Sequence, residues 1–441
     1  MSASASGTAR SGYGKGAAIL SAGIGTIGLV TYTYFAIASH TLTEDGYGGL
    51  TLLWSAVFIT VSVLYRPVEQ LLSRTIAERD TRGQSGREHL RVAVSIQLAL
   101  GVAFAVAALA LRGPIEDDLF SGSSTLYWVL IATVLAYAAS YFARGFLAGH
   151  RRFSLYGGLV LMEATSRCLF AVAVVVGIAS GQDVVALGMV AAPVVSLAVV
   201  PLALGRSGRR PSEVAGQDTD VLDDAAKGEP AGEPEFTLSH GAGFAVAVLL
   251  VMLAEQTFLN AGPLLVKATE GAGGAALAGF TFNVLLIARA PLQLFQAVQT
   301  SILPHLTRLR VAGEADPFKR SVNVTLVAIA GFAALVALVM LAAGPLVMDL
   351  VFGGDFDYDR GGLVLISLGM GLYLAAATLN QALLARGMAR QAAGVWVASA
   401  VGFVVLLLLP GFDDRVLQVE VAYVAAALLL CGLLYALYRR G

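Results

Sequence analysis

Apolar residues run in blocks of about twenty along almost the whole chain, separated by short polar stretches. Each block is long enough to cross a hydrocarbon layer of roughly 30 Å as a helix. The pattern predicts twelve such helices, at 16–39, 48–72, 90–112, 124–148, 155–179, 184–204, 241–267, 275–303, 318–343, 361–385, 391–410 and 417–438. The runs are continuous rather than alternating every second residue, which excludes the strands of an outer-membrane barrel. One long connection interrupts the series. Residues 205–240 carry eight acidic residues in a Gly- and Pro-rich background and lack the apolar content to fold, so they read as a disordered linker. The expected layout is an all-α integral membrane protein. Residues 1–204 form one six-helix lobe, residues 205–240 the cytoplasmic linker and residues 241–441 a second lobe.

Composition agrees with the bilayer. Apolar residues make up 57% and charged residues 13% of the chain, with a mean hydropathy of +0.75. A soluble protein has about twice that charged fraction. The charges also orient the chain. With the N-terminus inside, 23 Lys and Arg lie in cytoplasmic segments or at cytoplasmic span ends. Only Arg112, Lys267, Arg360 and Arg415 lie outside, and Arg167 and Arg289 fall within spans. The positive-inside rule therefore puts both termini in the cytoplasm. The outer loops are acidic instead, as at Glu116, Asp117 and Asp118. The basic residues are 25 Arg and 4 Lys in an Ala- and Gly-rich background, a bias that suggests a bacterial inner (cytoplasmic) membrane.

The two lobes carry matching fragments. Arg66-Pro67-Val68-Glu69-Gln70-Leu71-Leu72 in the second span corresponds to Arg289-Ala290-Pro291-Leu292-Gln293-Leu294-Phe295 in the eighth. Leu147-Ala148-Gly149-His150-Arg151-Arg152 at the end of the fourth corresponds to Leu384-Ala385-Arg386-Gly387 at the end of the tenth. Parallel repeats of this kind occur in alternating-access carriers, whose substrate site lies between the repeats.

Charged side chains inside the spans are the candidates for chemistry, because an ionised group at mid-membrane must be paired or face water. Glu163 and Arg167 stand four residues apart and so share a helical face. They form either a cavity pair or a buried pair that fixes packing. Glu255 is followed by Gln256, Asn260 and Pro263. Arg289 belongs to a stripe with Asn283, Gln293, Gln296 and Thr300, and no acid lies one turn away. Arg66 either lines the cavity with Ser62 and Glu69 or snorkels to the interface. A guanidinium suits carboxylate or phosphate because its planar fork bonds two oxygens; Glu255 suits a proton or a cation. Tyr32, Tyr34, Tyr137, Tyr141 and Tyr373 offer either stacking surfaces for sugar rings or packing. Trp54 and Trp128 are expected to anchor the outer interface, and Cys168 and Cys431 to pack. No Walker A sequence and no catalytic constellation is present. Neither enzymatic activity, a cofactor, a metal site nor a nucleic-acid partner is expected.

Three stretches carry a resemblance to a known family. Tyr65-Arg66-Pro67-Val68-Glu69-Gln70-Leu71-Leu72-Ser73-Arg74, Arg144-Gly145-Phe146-Leu147-Ala148-Gly149-His150-Arg151-Arg152-Phe153, and Arg289-Ala290-Pro291-Leu292-Gln293-Leu294-Phe295 resemble bacterial polysaccharide-export flippases of the Wzx type. These belong to the multidrug/oligosaccharidyl-lipid/polysaccharide exporter superfamily. The resemblance implies two six-helix lobes around a central cavity. It also implies export of a polyprenyl-pyrophosphate-linked oligosaccharide, with polysaccharide-assembly enzymes as candidate partners. The alternative within the same fold is an ion-coupled multidrug or small-solute antiporter. Drug antiporters of this superfamily usually carry a carboxylate in the first span, and residues 16–39 contain none.

Overall fold

A computed structural model describes residues 23, 25–81, 86, 88–150, 152–198, 201, 238–287, 289, 315–353, 358–410 and 412–440. Among these residues there is helix and no strand. The helices are α1 (residues 25–41), α2 (Glu44–Leu64), α3 (Arg66–Thr81), α4 (Glu88–Ala110), α5 (Ser124–Gly149), α6 (Phe153–Val175), α7 (Gln182–Ser196), α8 (Leu238–Glu270), α9 (Gly274–Ile287), α10 (Ala315–Phe352), α11 (Arg360–Ala385), α12 (Ala389–Leu408) and α13 (Arg415–Arg440).

Several helices start at one end of the bundle with a side chain over the exposed backbone N–H groups. The Thr43 hydroxyl accepts from Gly46 N, the Ser123 hydroxyl from Leu126 N, Asp359 from Gly362 N and Asp414 from Val416 N. Each cap satisfies donors that the first turn cannot pair internally. Glu44 and Asp45 add negative charge where the helix dipole is positive. This end also holds Glu116, Asp117, Asp118 and Asp183 and is called the acidic end below.

The second span breaks once. α2 stops at Leu64 and α3 resumes at Arg66, because Pro67 lacks the N–H that would continue the ladder. Tyr65 N still bonds Val61 O and Glu69 N still bonds Tyr65 O, each at 2.9 Å, so the two run on as one long apolar element. The break sets Arg66 and Glu69 at the start of a new helix.

The helices sort into two groups. In the first, α5 packs against α2, α3 and α7, and α6 lies against α7. In the second, α11 packs against α10 and α13, and α12 against α8 and α13. The groups meet where α2 lies against α8 and α9. Burial follows this order. The apolar window of α11 is 72% buried, whereas those of α4 and α10 are 22% buried. The outward residues of those two helices, among them Val102, Val106, Leu338 and Leu341, are apolar and exposed, as a lipid-facing surface requires.

The expected spans overlap the observed helices, but several ends differ. α3 runs to Thr81, nine residues past position 72, and α7 stops at Ser196, eight short of 204; residues 290–303 lie outside the described residues. α8 starts at Leu238, three residues inside the stretch read as linker; residues 205–237 lie outside the described residues. α10 continues nine residues past position 343, through Pro345. A proline is tolerated within a membrane helix when the neighbours accommodate the freed carbonyl. Trp54 is not an interfacial anchor. It is 8% exposed and packs among Tyr34, Phe35 and Phe58, because α2 is central to the bundle rather than peripheral. Trp128, by contrast, is exposed, with Arg112 over its ring.

Candidate functional site

Two polar clusters lie within the bundle, one in each group of helices. In the first, Glu163 on α6 is buried and forms an ion pair with Arg144 on α5. Its carboxylate also accepts from Ser140 and, at 3.4 Å, from Ser196. The sequence pattern paired Glu163 with Arg167, and that pairing does not form. Arg167 points its guanidinium at Trp54, 4.7 Å from the ring, with Phe58 at 5.7 Å; its Nε and Nη1 have no hydrogen-bond partner. A spacing of four residues puts two side chains on one face but does not make them meet when a neighbouring helix offers a better partner.

Arg144 is the residue that sequence reasoning missed. It stands in a motif already singled out, yet its role emerges only from the α5–α6 hairpin. The chain turns back between Gly149 and Phe153, so the end of α5 lies antiparallel to the start of α6. Arg144 also lies over the Tyr141 ring at 4.7 Å. Tyr156 donates to Glu69 at 3.0 Å. Arg66 lies within electrostatic reach of Glu69 and of Glu255 on the other group of helices, without ion-pair contact to either.

The second cluster centres on Arg289, which is 9% exposed. Its Nη2 donates to Asn260 Oδ1 at 3.1 Å, and Asn260 Nδ2 donates to Gln256 at 2.9 Å. That relay turns the Asn260 carbonyl towards the guanidinium. The group also rests over the Phe282 ring at 4.9 Å. Its Nε has no partner, and neither does the hydroxyl of Tyr423; Tyr423 and Tyr373 both lie within its electrostatic reach. Among the described residues no carboxylate forms an ion pair with Arg289. Glu255, half-buried on α8, lies beside Tyr373 instead.

The remaining candidates divide. Gln293, Gln296 and Thr300 lie outside the described residues. Asn283, read as a cavity residue, is fully buried and committed. It accepts from Tyr47 and donates to Tyr358 at 3.0 Å. Of the tyrosines read as either stacking or packing, two are tied to backbone: the Tyr34 hydroxyl donates to the Val185 carbonyl, and Tyr32 donates to that of Leu286. Among the described residues, no group of three His, Cys, Asp or Glu could hold a metal ion.

This arrangement of helices has known counterparts. The fold is that of MATE transporters, which have twelve transmembrane helices in two lobes. It matches the Vibrio cholerae MATE transporter VcmN at 16% identity, covering 98% of both chains with a TM-score of 0.62. It also matches an inward-facing multidrug resistance MATE family transporter of the MOP superfamily at 13% identity, covering 94% of both chains with a TM-score of 0.65. The eukaryotic MATE transporter AtDTX14 matches at 13% identity over 96% of this chain and 93% of its own, with a TM-score of 0.57. No protein-family model and no curated protein matches the sequence. At such identities the likeness establishes the fold.

Proposed function

We propose that this chain is a multi-pass carrier that works by alternating access and anchors an anionic group of its cargo at Arg289. The observation that carries the proposal is chemical. Two buried donors, Arg289 Nε and the hydroxyl of Tyr423, have no acceptor among the described residues, and Tyr423 lies within electrostatic reach of the guanidinium. Buried polar groups are normally satisfied, and a buried guanidinium without a counter-charge is costly. A carboxylate or phosphate oxygen supplies both the acceptors and the charge. Asn260, held by Gln256, fixes the guanidinium for that task.

Two cargo classes share this chemistry. The fold neighbours, one of them described as a multidrug resistance transporter, favour the first, an ion-coupled multidrug or small-solute antiporter, and Arg289 suits an anionic group on its solute. Glu255, within electrostatic reach of Arg66, is then the coupling carboxylate. Export of a lipid-linked oligosaccharide rests on the local motifs around Arg66, Arg144 and Arg289 and is the second reading. A deletion strain separates them. Antiport predicts intact surface polysaccharide and altered sensitivity to small solutes. Flipping predicts loss of surface polysaccharide and accumulation of the lipid-linked intermediate.

The carrier is assigned to the bacterial cytoplasmic membrane with both termini inside, which makes the acidic end the outer one. Reporter fusions at Gly83, Gly216 and Met388 are therefore expected to read cytoplasmic, and those at Glu44, Asp117 and Asp355 external. A cytoplasmic signal at Asp355 would overturn this orientation.

A further inference from the structure

The two groups of helices meet in a seam at the acidic end, where α2 and α9 approach closely at Gly48 and Gly279. A Cβ on Gly48 would lie 1.9 Å from the Ala275 carbonyl oxygen, and one on Gly279 would lie 3.1 Å from Gly48 Cα. The backbones of α2 and α9 therefore touch, which only glycine permits. Lys267 crosses the same seam, its Nζ donating to Ser121 Oγ at 2.8 Å and to the Gly271 carbonyl at 2.7 Å. Within the seam lies a chain of three buried side chains from three elements. Tyr47 on α2 donates to Asn283 on α9, and Asn283 donates to Tyr358, just ahead of α11.

The residue before it, Phe282, belongs to a ring stack that also spans the seam. Its centroid is 4.7 Å from that of Phe35, and Phe35 is 4.8 Å from Trp54. The two ends of this stack each carry a guanidinium. Arg289 rests on Phe282 and Arg167 on Trp54, one from each group of helices. Neither is held there by an ion pair among the described residues.

We propose that Asn283 is the latch of an outer gate, and that an anion arriving at Arg289 opens it by drawing the guanidinium off the neighbouring Phe282 ring. The proposal rests on the carrier reading above and specifies how its cargo regulates it. The cation–π contact is geometrically weaker than a direct charge-assisted bond to an oxyanion, so a bound carboxylate or phosphate outcompetes the ring. Phe282 and Asn283 are adjacent on α9, so releasing one ring loosens both the stack and the latch. Packed elements of this kind switch between discrete arrangements rather than deform continuously.

The test measures the separation of spin labels on either side of the seam, at Asp117→Cys and Ala268→Cys, in protein whose Cys168 and Cys431 are replaced by Ala. Each lost hydrogen bond is worth roughly a fivefold change in an equilibrium. Asn283→Leu keeps the bulk, removes two bonds, and is expected to raise the long-separation population roughly twenty-five-fold. Tyr47→Phe removes one bond with little change of shape, should shift it roughly fivefold, and covers the case in which the Leu variant fails to fold. Inorganic pyrophosphate should lengthen the separation in the unsubstituted protein and have no effect in Arg289→Ala. A short separation in both gate variants overturns the latch. An equal pyrophosphate response with and without Arg289, or none in either, overturns the coupling. If those variants still export cargo in an Arg289-dependent way, the gate is wrong and the carrier reading stands. If no condition moves the labels and nothing is exported, the carrier reading falls.

Discussion

Replacing Arg144 with Ala is expected to strip most of the protein from the membrane. The Glu163 side chain is 3% exposed and draws its charge compensation from Arg144, with Ser140 and Ser196 adding hydroxyl bonds. Removing one partner of a buried pair leaves an uncompensated charge, at a cost of about 3–5 kcal/mol. Against a folding free energy of roughly 5–15 kcal/mol that loss is large. The hydroxyls remain but carry no charge, and Arg167 is directed at Trp54. Glu163→Gln should be milder, because Arg144 keeps the Tyr141 face at 4.7 Å and its electrostatic partner Glu69. The double variant Arg144→Gln with Glu163→Gln should recover abundance, since no bare charge is left. In-gel fluorescence of tagged variants reads this directly. An Arg144→Ala protein as abundant as the double variant would remove the pair from the account of stability.

Arg289→Ala is expected to do the opposite: abundance close to that of the unsubstituted protein, with export abolished. Glu163 is matched by Arg144, and Glu255 sits with Tyr373 and within reach of Arg66, so truncating Arg289 strands no described carboxylate. What is lost is one bond to Asn260 and the contact with Phe282. Arg289→Lys keeps the charge and loses the fork, so partial export is expected. Tyr423→Phe deletes one unpartnered hydroxyl and should lower cargo affinity by roughly tenfold or less, consistent with about 0.5–1.5 kcal/mol per bond. Normal abundance together with normal export in Arg289→Ala would refute the site.

Span placement was legible because the bilayer imposes a long, continuous apolar signal on each helix; the ends were less so, since α3 runs to Thr81 and α10 to Phe352, each nine residues past the expected end. The break at Tyr65 was marked by Pro67. Arg289 was legible as an unmatched charge for the same reason: on an apolar helix, a single guanidinium with no acid one turn away stands out. What sequence could not supply was which helices meet. Glu163 finds Arg144 through the α5–α6 hairpin rather than Arg167 through its own helix. Trp54 turned inward because α2 is central, and an aromatic residue near a span end looks the same in either setting. Asn283 shared a helical stripe with Arg289, yet it lies in the seam between α2 and α9, which nothing in the local pattern encodes. Tyr423 carried no signal at all. Its hydroxyl matters only because α13 brings it near Arg289, and a lone tyrosine in an apolar span reads as packing.

The most direct test of the central claim is thermal unfolding of the purified protein in detergent, with and without inorganic pyrophosphate. A ligand that binds only the folded state stabilises it by RT ln(1 + [L]/Kd), about 2.7 kcal/mol at a hundredfold excess over Kd. The account predicts that the unfolding midpoint of the unsubstituted protein rises with pyrophosphate, that Arg289→Lys shows a smaller rise, and that Arg289→Ala shows none. An equal rise in the unsubstituted and Arg289→Ala proteins, or no rise in either, would contradict it.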